Sequence, residues 1–208
     1  MSLYQDVTNK PWDQVGLPDG IESKPVFAVS NERLALTVFM IIASVVFSLL
    51  VVSYYIRMNI GDWVPMSIPT QVWLNTALLV LSSVFMQGAV FVSHKQLSVS
   101  LYSGAGLLFG IGGLFAIAFV AGQYQVWGLL ADTGQGIRSN PANSFFYLLT
   151  SVHVAHLGGG LWVWSKSAIR LTHAATSDHF HQTFSLCAVY WHFLLIVWIG
   201  LFLLLANT

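Results

Sequence analysis

The chain has 208 residues, of which 56% are hydrophobic and 8% charged, against roughly 25% charged in an average soluble domain. Eight acids balance eight Lys and Arg, and the single Cys187 excludes an internal disulfide and Cys-rich zinc or iron–sulfur chemistry. There is no basic patch to suggest nucleic-acid binding, and the composition is that of a polytopic membrane protein.

Residues 1–30 read as a polar tail. Five of the eight acids (Asp6, Asp13, Asp19, Glu22, Glu32) lie in the first 32 residues, with Pro11, Pro18 and Pro25 among them. That pattern lacks the basic region and apolar run of a secretory signal. It predicts an extended segment that can lie along a neighbouring subunit.

Residues 31–208 read as one all-α membrane domain. A bilayer core about 30 Å thick needs roughly 20 apolar helical residues. Five stretches qualify, at about 34–56, 72–92, 98–122, 144–164 and 183–206. Helices are expected because each span must satisfy its own backbone groups in lipid.

The second span carries Asn75-Thr76 and Ser82-Ser83, small polar residues suited to interhelical hydrogen bonds. The third carries Gly106-x-x-x-Gly110, with Gly113 and Ala116 beyond, a stripe that lets helix backbones approach closely. Pro141-Ala142-Asn143-Ser144 looks like a helix start, capped by Asn143 or Ser144.

The fourth span carries His153-Val154-Ala155-His156-Leu157 and three glycines, and the last carries Tyr190-Trp191-His192-Phe193. Histidine is costly in hydrocarbon and normally faces a protein interior with a partner. His153 and His156 are three apart and share a helix face. Two readings stay open. The three histidines can hydrogen-bond between helices, or His153, His156 and His192 can ligate haem or a metal, in a free-standing membrane enzyme. A proton relay is disfavoured, because no predicted span holds Asp or Glu, and the late acids Asp132 and Asp178 fall in connections.

Lys166 and Arg170 end the fourth span, where a guanidinium can grip a lipid phosphate bidentately or simply set topology. His173, His179 and His181 follow in a polar connection that reads as a solvated loop, with His181 a further candidate lipid contact. Lys10, Lys24, Arg33, Lys95, Lys166 and Arg170 fall on one side of the five spans, and Arg57 and Arg138 on the other. Positive-inside bias then puts the N-terminus inside and the C-terminus outside. Trp63, Trp73, Trp127, Trp162 and Trp164 lie near span ends, as interfacial anchors do.

Taken in order, these motifs resemble subunit III of the haem–copper oxidases, in its short five-helix prokaryotic form. Asn75-Thr76 with Ser82-Ser83 looks like the family's NT…SS helix. Gln123-Tyr124-Gln125-Val126-Trp127 is similar to its Q-x-x-E-W helix end. Asn140-Pro141-Ala142 and Ser144-Phe145-Phe146-Tyr147-Leu148-Leu149-Thr150 resemble the entry to its His-x-x-His helix, and Tyr190-Trp191-His192-Phe193 with Val197-Trp198 its terminal helix.

The resemblance implies a non-catalytic subunit of a bacterial cytochrome c oxidase in the cytoplasmic membrane. Such a subunit binds no haem or copper itself; those belong to its partners, subunits I and II, in a complex that reduces oxygen and pumps protons. It implies bound phospholipid, with Arg170 in the place of a lipid-binding arginine 17 residues after His153. His153, His156, His192, Tyr190, Trp191, Gly106, Gly110 and Asn75 are then structural. The family's intramembrane carboxylates are missing together: Ala43-Ser44-Val45, Val126, Ser185 and Leu195 stand in their places. That puts carboxylate-assisted proton uptake in doubt. A quinol oxidase subunit and an accessory subunit of nitric oxide reductase stay open, as does membership of a larger respiratory supercomplex.

Overall fold

A computed structural model describes residues 30–66, 68–95, 100, 102–171 and 177–207, with the side chains of 177–179 outside that set. The tail, His173 and the His179 side chain therefore lie outside the described residues. The chain divides into a unit Met1–Ala35 and a unit Leu36–Thr208. Among the described residues the fold is all-helical, with five long helices: α1 (Asn31–Met58), α2 (Gln71–Ser93), α3 (Gly104–Asp132), α4 (Pro141–Leu171) and α5 (Ser177–Ala206).

Four of these, α1, α2, α3 and α5 from Phe180, are long and apolar enough to cross a membrane. The hydropathy of α4 is diluted by His153, His156, Gly158, Gly159 and Gly160.

Helices α2 to α5 close a ring in which α2 packs on α3 and α5, and α4 packs on α3 and α5. All four neighbouring pairs run antiparallel, as the contacts show. Along α2 and α5, Trp73 meets Phe202, Thr76 meets Trp198, Ser82 meets Trp191 and Ser93 meets His181. Numbers rise on one helix as they fall on the other. The contacts extend over twenty residues of α2, about 30 Å of helix at 1.5 Å per residue, which matches the thickness of a bilayer core. From Leu36 onward, α1 meets the ring through side chains: Phe39 and Phe47 reach His156, and Tyr54 reaches Trp63 and Phe145.

Several helix ends differ from the expected ones, and α4 runs past 164 to Leu171. α3 runs to Asp132, ten residues past the predicted 122, so Asp132 ends a helix rather than lying in a connection. Asp178 likewise falls in the first turn of α5. The polar run Gln123-Tyr124-Gln125 ends the apolar window without ending the helix. What ends it is Gly134, at φ +78°, with its N–H on Ala131 O at 3.1 Å and the next N–H, of Gln135, on Leu130 O at 2.8 Å. That pair of bonds is a Schellman cap, which needs a left-handed residue where glycine is unstrained.

α4 opens at Pro141, whose missing N–H costs nothing in a first turn. The cap is Asn140, not Asn143 or Ser144: its Oδ1 accepts from Ala142 N at 3.2 Å. The Ser144 hydroxyl donates instead to Ile137 O, and the Asn143 amide to Ser139 Oγ.

Candidate functional site

The polar residues of the spans meet inside the ring. Trp191 is 1% exposed and its Nε1–H donates to Ser82 Oγ at 2.8 Å. Ser82 in turn donates to Gly112 O at 2.7 Å, so one hydroxyl ties α5, α2 and α3 together. Trp198 Nε1–H donates to Thr76 Oγ1 at 3.0 Å, two turns along α5 from Trp191. Asn75 is fully buried, and its amide nitrogen reaches Gln123 Oε1 at 3.4 Å.

His192 is held at both nitrogens. Its Nε2 lies 2.9 Å from Gln87 Oε1 and its Nδ1 2.5 Å from Ser83 Oγ. The Gln87 carbonyl oxygen can only accept, so Nε2 carries the proton and Nδ1 accepts from the Ser83 hydroxyl. An imidazole committed in this way to α2 offers no lone pair to a metal.

His153 and His156 face a different neighbourhood. His156 donates from Nδ1 to Val152 O at 2.8 Å in its own helix and packs, tilted, against Phe39 and Phe47. Tyr190 OH donates to the His156 carbonyl at 2.8 Å. His153 is 0% exposed, boxed by Phe47, Phe119 and Trp198, and neither of its nitrogens has a hydrogen-bond partner among the described residues. The expected interhelical hydrogen bond is therefore absent at His153, and aromatic packing stands in its place. Among the described residues no three of His, Cys, Asp and Glu come together in a way that could hold a metal ion.

His153→Leu is accordingly expected to keep or raise stability, by up to roughly 1–3 kcal/mol, because it removes an unsatisfied buried polar group. Unfolding midpoints in detergent test this. A clear loss would mean that the imidazole has a partner after all.

Close helix approach occurs at Gly113, on the expected stripe, and at Gly122 and Gly160 outside it. A methyl at Gly113 would overlap the Trp164 indole, one at Gly122 the Asn75 amide, and one at Gly160 would sit 2.7 Å from Tyr190 Cε1. Gly106 is buried, but Gly110 has nothing within 4 Å of the place its Cβ would take. The tryptophans near the span ends divide into two kinds. Trp73 and Trp162 are exposed, whereas Trp127 donates to Thr150 Oγ1 at 3.0 Å and Trp164 to Phe109 O at 2.9 Å, both across helices.

The cationic end of α4 is open. Arg170 is exposed in the last turn, where the helix dipole favours a cation. Lys166 lies over the Trp162 ring at 4.8 Å. His181 pairs with Ser93 Oγ at 3.1 Å and stacks on His94 at 5.4 Å, so this candidate lipid contact is already engaged with α2. Two positions where the resemblance implies intramembrane acids are apolar and buried here: Val126 is 0% exposed and Ala43 2%.

Fold and interior thus define a class, an integral membrane helix bundle closed by tryptophan and histidine side chains. Comparison with known proteins narrows it. No family model matches the chain. It is 33% identical over 153 residues to a probable cytochrome c oxidase subunit 3 of Nocardia farcinica, covering 68% of this chain and 70% of that protein. It is 32% identical over 174 residues to cytochrome c oxidase subunit 3 of Synechocystis sp., covering 80% and 71%. The subunit 3 of Corynebacterium diphtheriae is 28% identical over 134 residues, covering 62% and 60%. The chain belongs to the cytochrome c oxidase subunit 3 family.

Proposed function

We propose that the chain is the non-catalytic subunit III of a bacterial cytochrome c oxidase in the cytoplasmic membrane, packed beside subunit I and in one complex with subunit II. The observation that carries the reading is the family match over 80% of the chain to the Synechocystis protein. The interior agrees with it. His153, His156 and His192 pack or hydrogen-bond within the bundle, and in this reading haem and copper belong to the partner subunits.

In this reading α4 is a fifth span. Its low hydropathy comes partly from residues turned inward, since His153 is fully enclosed and Gly160 lies against Tyr190. At 31 residues it is long enough to cross. The N-terminus is inside and the C-terminus outside, supported by six cations against two on the two sides. α4 also exposes Ser151, Ala155, Gly158 and Gly159, small residues that let a neighbouring subunit's helix come close.

Arg170 and Lys166 retain phospholipid at the inner surface and so steady the catalytic subunit during turnover. Arg170→Ala is expected to lose bound lipid and shorten the working life of the oxidase, with little change in initial rate. Unaltered lipid content and lifetime would refute the role. The wider assignment is tested by a mild-detergent pull-down of the tagged chain from its native membrane. A haem–copper subunit I in the eluate supports it; haem that stays with the isolated chain overturns it.

A further inference from the structure

At the other end of the bundle a cavity of about 340 Å³ opens between the C-terminal end of α1 and the start of α4. It is lined by Arg57, Arg138, Ser139, Asn140, Ser144 and Phe145, together with Pro141. Arg57 donates from both Nη atoms to the two oxygens of Asp62, each at 2.6 Å. These bonds hold the Asp62 carboxyl below the usual carboxylate range. Arg138 is exposed and makes no ion pair or hydrogen bond among the described residues. Asp132, six residues before it, pairs with neither arginine.

Of the two guanidiniums that line this cavity, Arg57 is therefore balanced by Asp62 and Arg138 is not, leaving one positive charge over. The cavity mouth holds the first turn of a 31-residue helix, where aligned peptide dipoles add roughly half a positive charge. A cation such as Arg138 just before a helix start is unfavourable unless an anion sits between. The hydroxyl protons are not free to donate to such an anion, since Ser139 and Ser144 donate to Gly136 O and Ile137 O. Recognition thus falls to the guanidiniums, whose planar fork suits phosphate oxygens.

We propose that Arg138, with Arg57, forms a second phosphate-binding site, on the membrane surface opposite Lys166 and Arg170, and that it takes the phosphodiester of an anionic lipid headgroup. The charge arrangement is independent of the subunit assignment. Only the assignment to that surface rests on the topology proposed above.

The test uses the purified full-length protein in detergent, with bound lipid counted by native mass spectrometry. Phosphatidylglycerol, phosphatidylcholine and inorganic phosphate are the probes, on wild type, Arg138→Gln and Arg170→Gln. Arg138 is exposed and unpaired, so its variant is expected to fold. The expected result is that Arg138→Gln weakens phosphatidylglycerol binding about tenfold, while Arg170→Gln leaves that Arg138-dependent part intact. Failure of the Arg170 reading would appear instead as indifference to Arg170→Gln.

Inorganic phosphate at millimolar level distinguishes the two phosphate sources. Retention of phosphatidylglycerol against it assigns the site to lipid. Displacement supports a phosphate site that free phosphate can fill. Binding by Arg138→Gln equal to wild type for every probe overturns the proposal. So does release of a neighbouring chain from the assembled complex with its lipid retained, which would point to a protein carboxylate.

Discussion

Trp191→Ala is expected to lower the unfolding free energy of the bundle by about 3–5 kcal/mol, the usual cost of emptying a large enclosed aromatic site. Trp191 is 1% exposed, packs against the space left by Gly160 and donates to Ser82 where α5 crosses α2. Two causes are entangled in that residue. Lipid tails are as apolar as the interior, so transfer from water contributes less here than in a soluble core. Dispersion contacts and the cavity dominate. The hydrogen bond adds its own term, about 0.6–2 kcal/mol for an interhelical bond in membranes. Trp191→Phe separates the two. It keeps much of the ring and removes the donor, leaving Ser82 still able to donate to Gly112 O. Reversible unfolding in mixed micelles, followed by near-ultraviolet circular dichroism, is expected to place Trp191→Phe much nearer wild type than Trp191→Ala. Equal losses in the two variants would mean that the bond, not the packing, holds α5 to α2.

Four of the helices, α1, α2, α3 and α5, were legible because length and hydropathy alone separate a span from a connection, whereas α4 falls short in hydropathy. The polar residues of the interior were legible as a set, because Asn75, Ser82, Ser83, His153 and His192 are too costly to face lipid. Which of them would meet was not legible. Spacing puts His153 and His156 on one face of α4, but the rotation of α5 about its own axis decides whether His192 joins them. That rotation is fixed by Trp191 and Trp198 lying seven residues apart and both reaching hydroxyls of α2, which turns His192 toward Ser83 and Gln87. The hydroxyls were visible in the sequence; the register that matches Thr76 with Trp198 was not. The cap of α4 was readable from Pro141 alone, since proline favours the first helical position and so makes Asn140 the cap. The end of α3 had an equivalent signal in Gly134.

Gly113→Ala is expected to destabilise the α3–α4 contact by about 1–3 kcal/mol, the usual cost of overpacking, whereas Gly110→Ala is expected to be close to neutral. Both glycines lie on the stripe that the sequence marks for close packing, and only the structure separates them. At Gly113 the added methyl would overlap three ring atoms of Trp164. That ring cannot swing away without losing the bond from its Nε1–H to Phe109 O, 2.9 Å long and made to the same helix α3. The methyl therefore meets a neighbour anchored at two places, and either the bond or the helix separation has to yield. At Gly110 nothing among the described residues lies within 4 Å of the new carbon, so the methyl fills open space. The gain in helix propensity, about 1 kcal/mol in water, counts for less where the unfolded reference in a micelle keeps its helices. The pair of variants thus holds composition, helix and stripe constant and changes only the neighbour. Equal destabilisation at both positions would favour Gly106-x-x-x-Gly110 as the packing seam and move the close approach of α3 one turn toward its N-terminus. A loss confined to Gly113, relieved by Trp164→Phe, would identify the tryptophan as what the glycine makes room for.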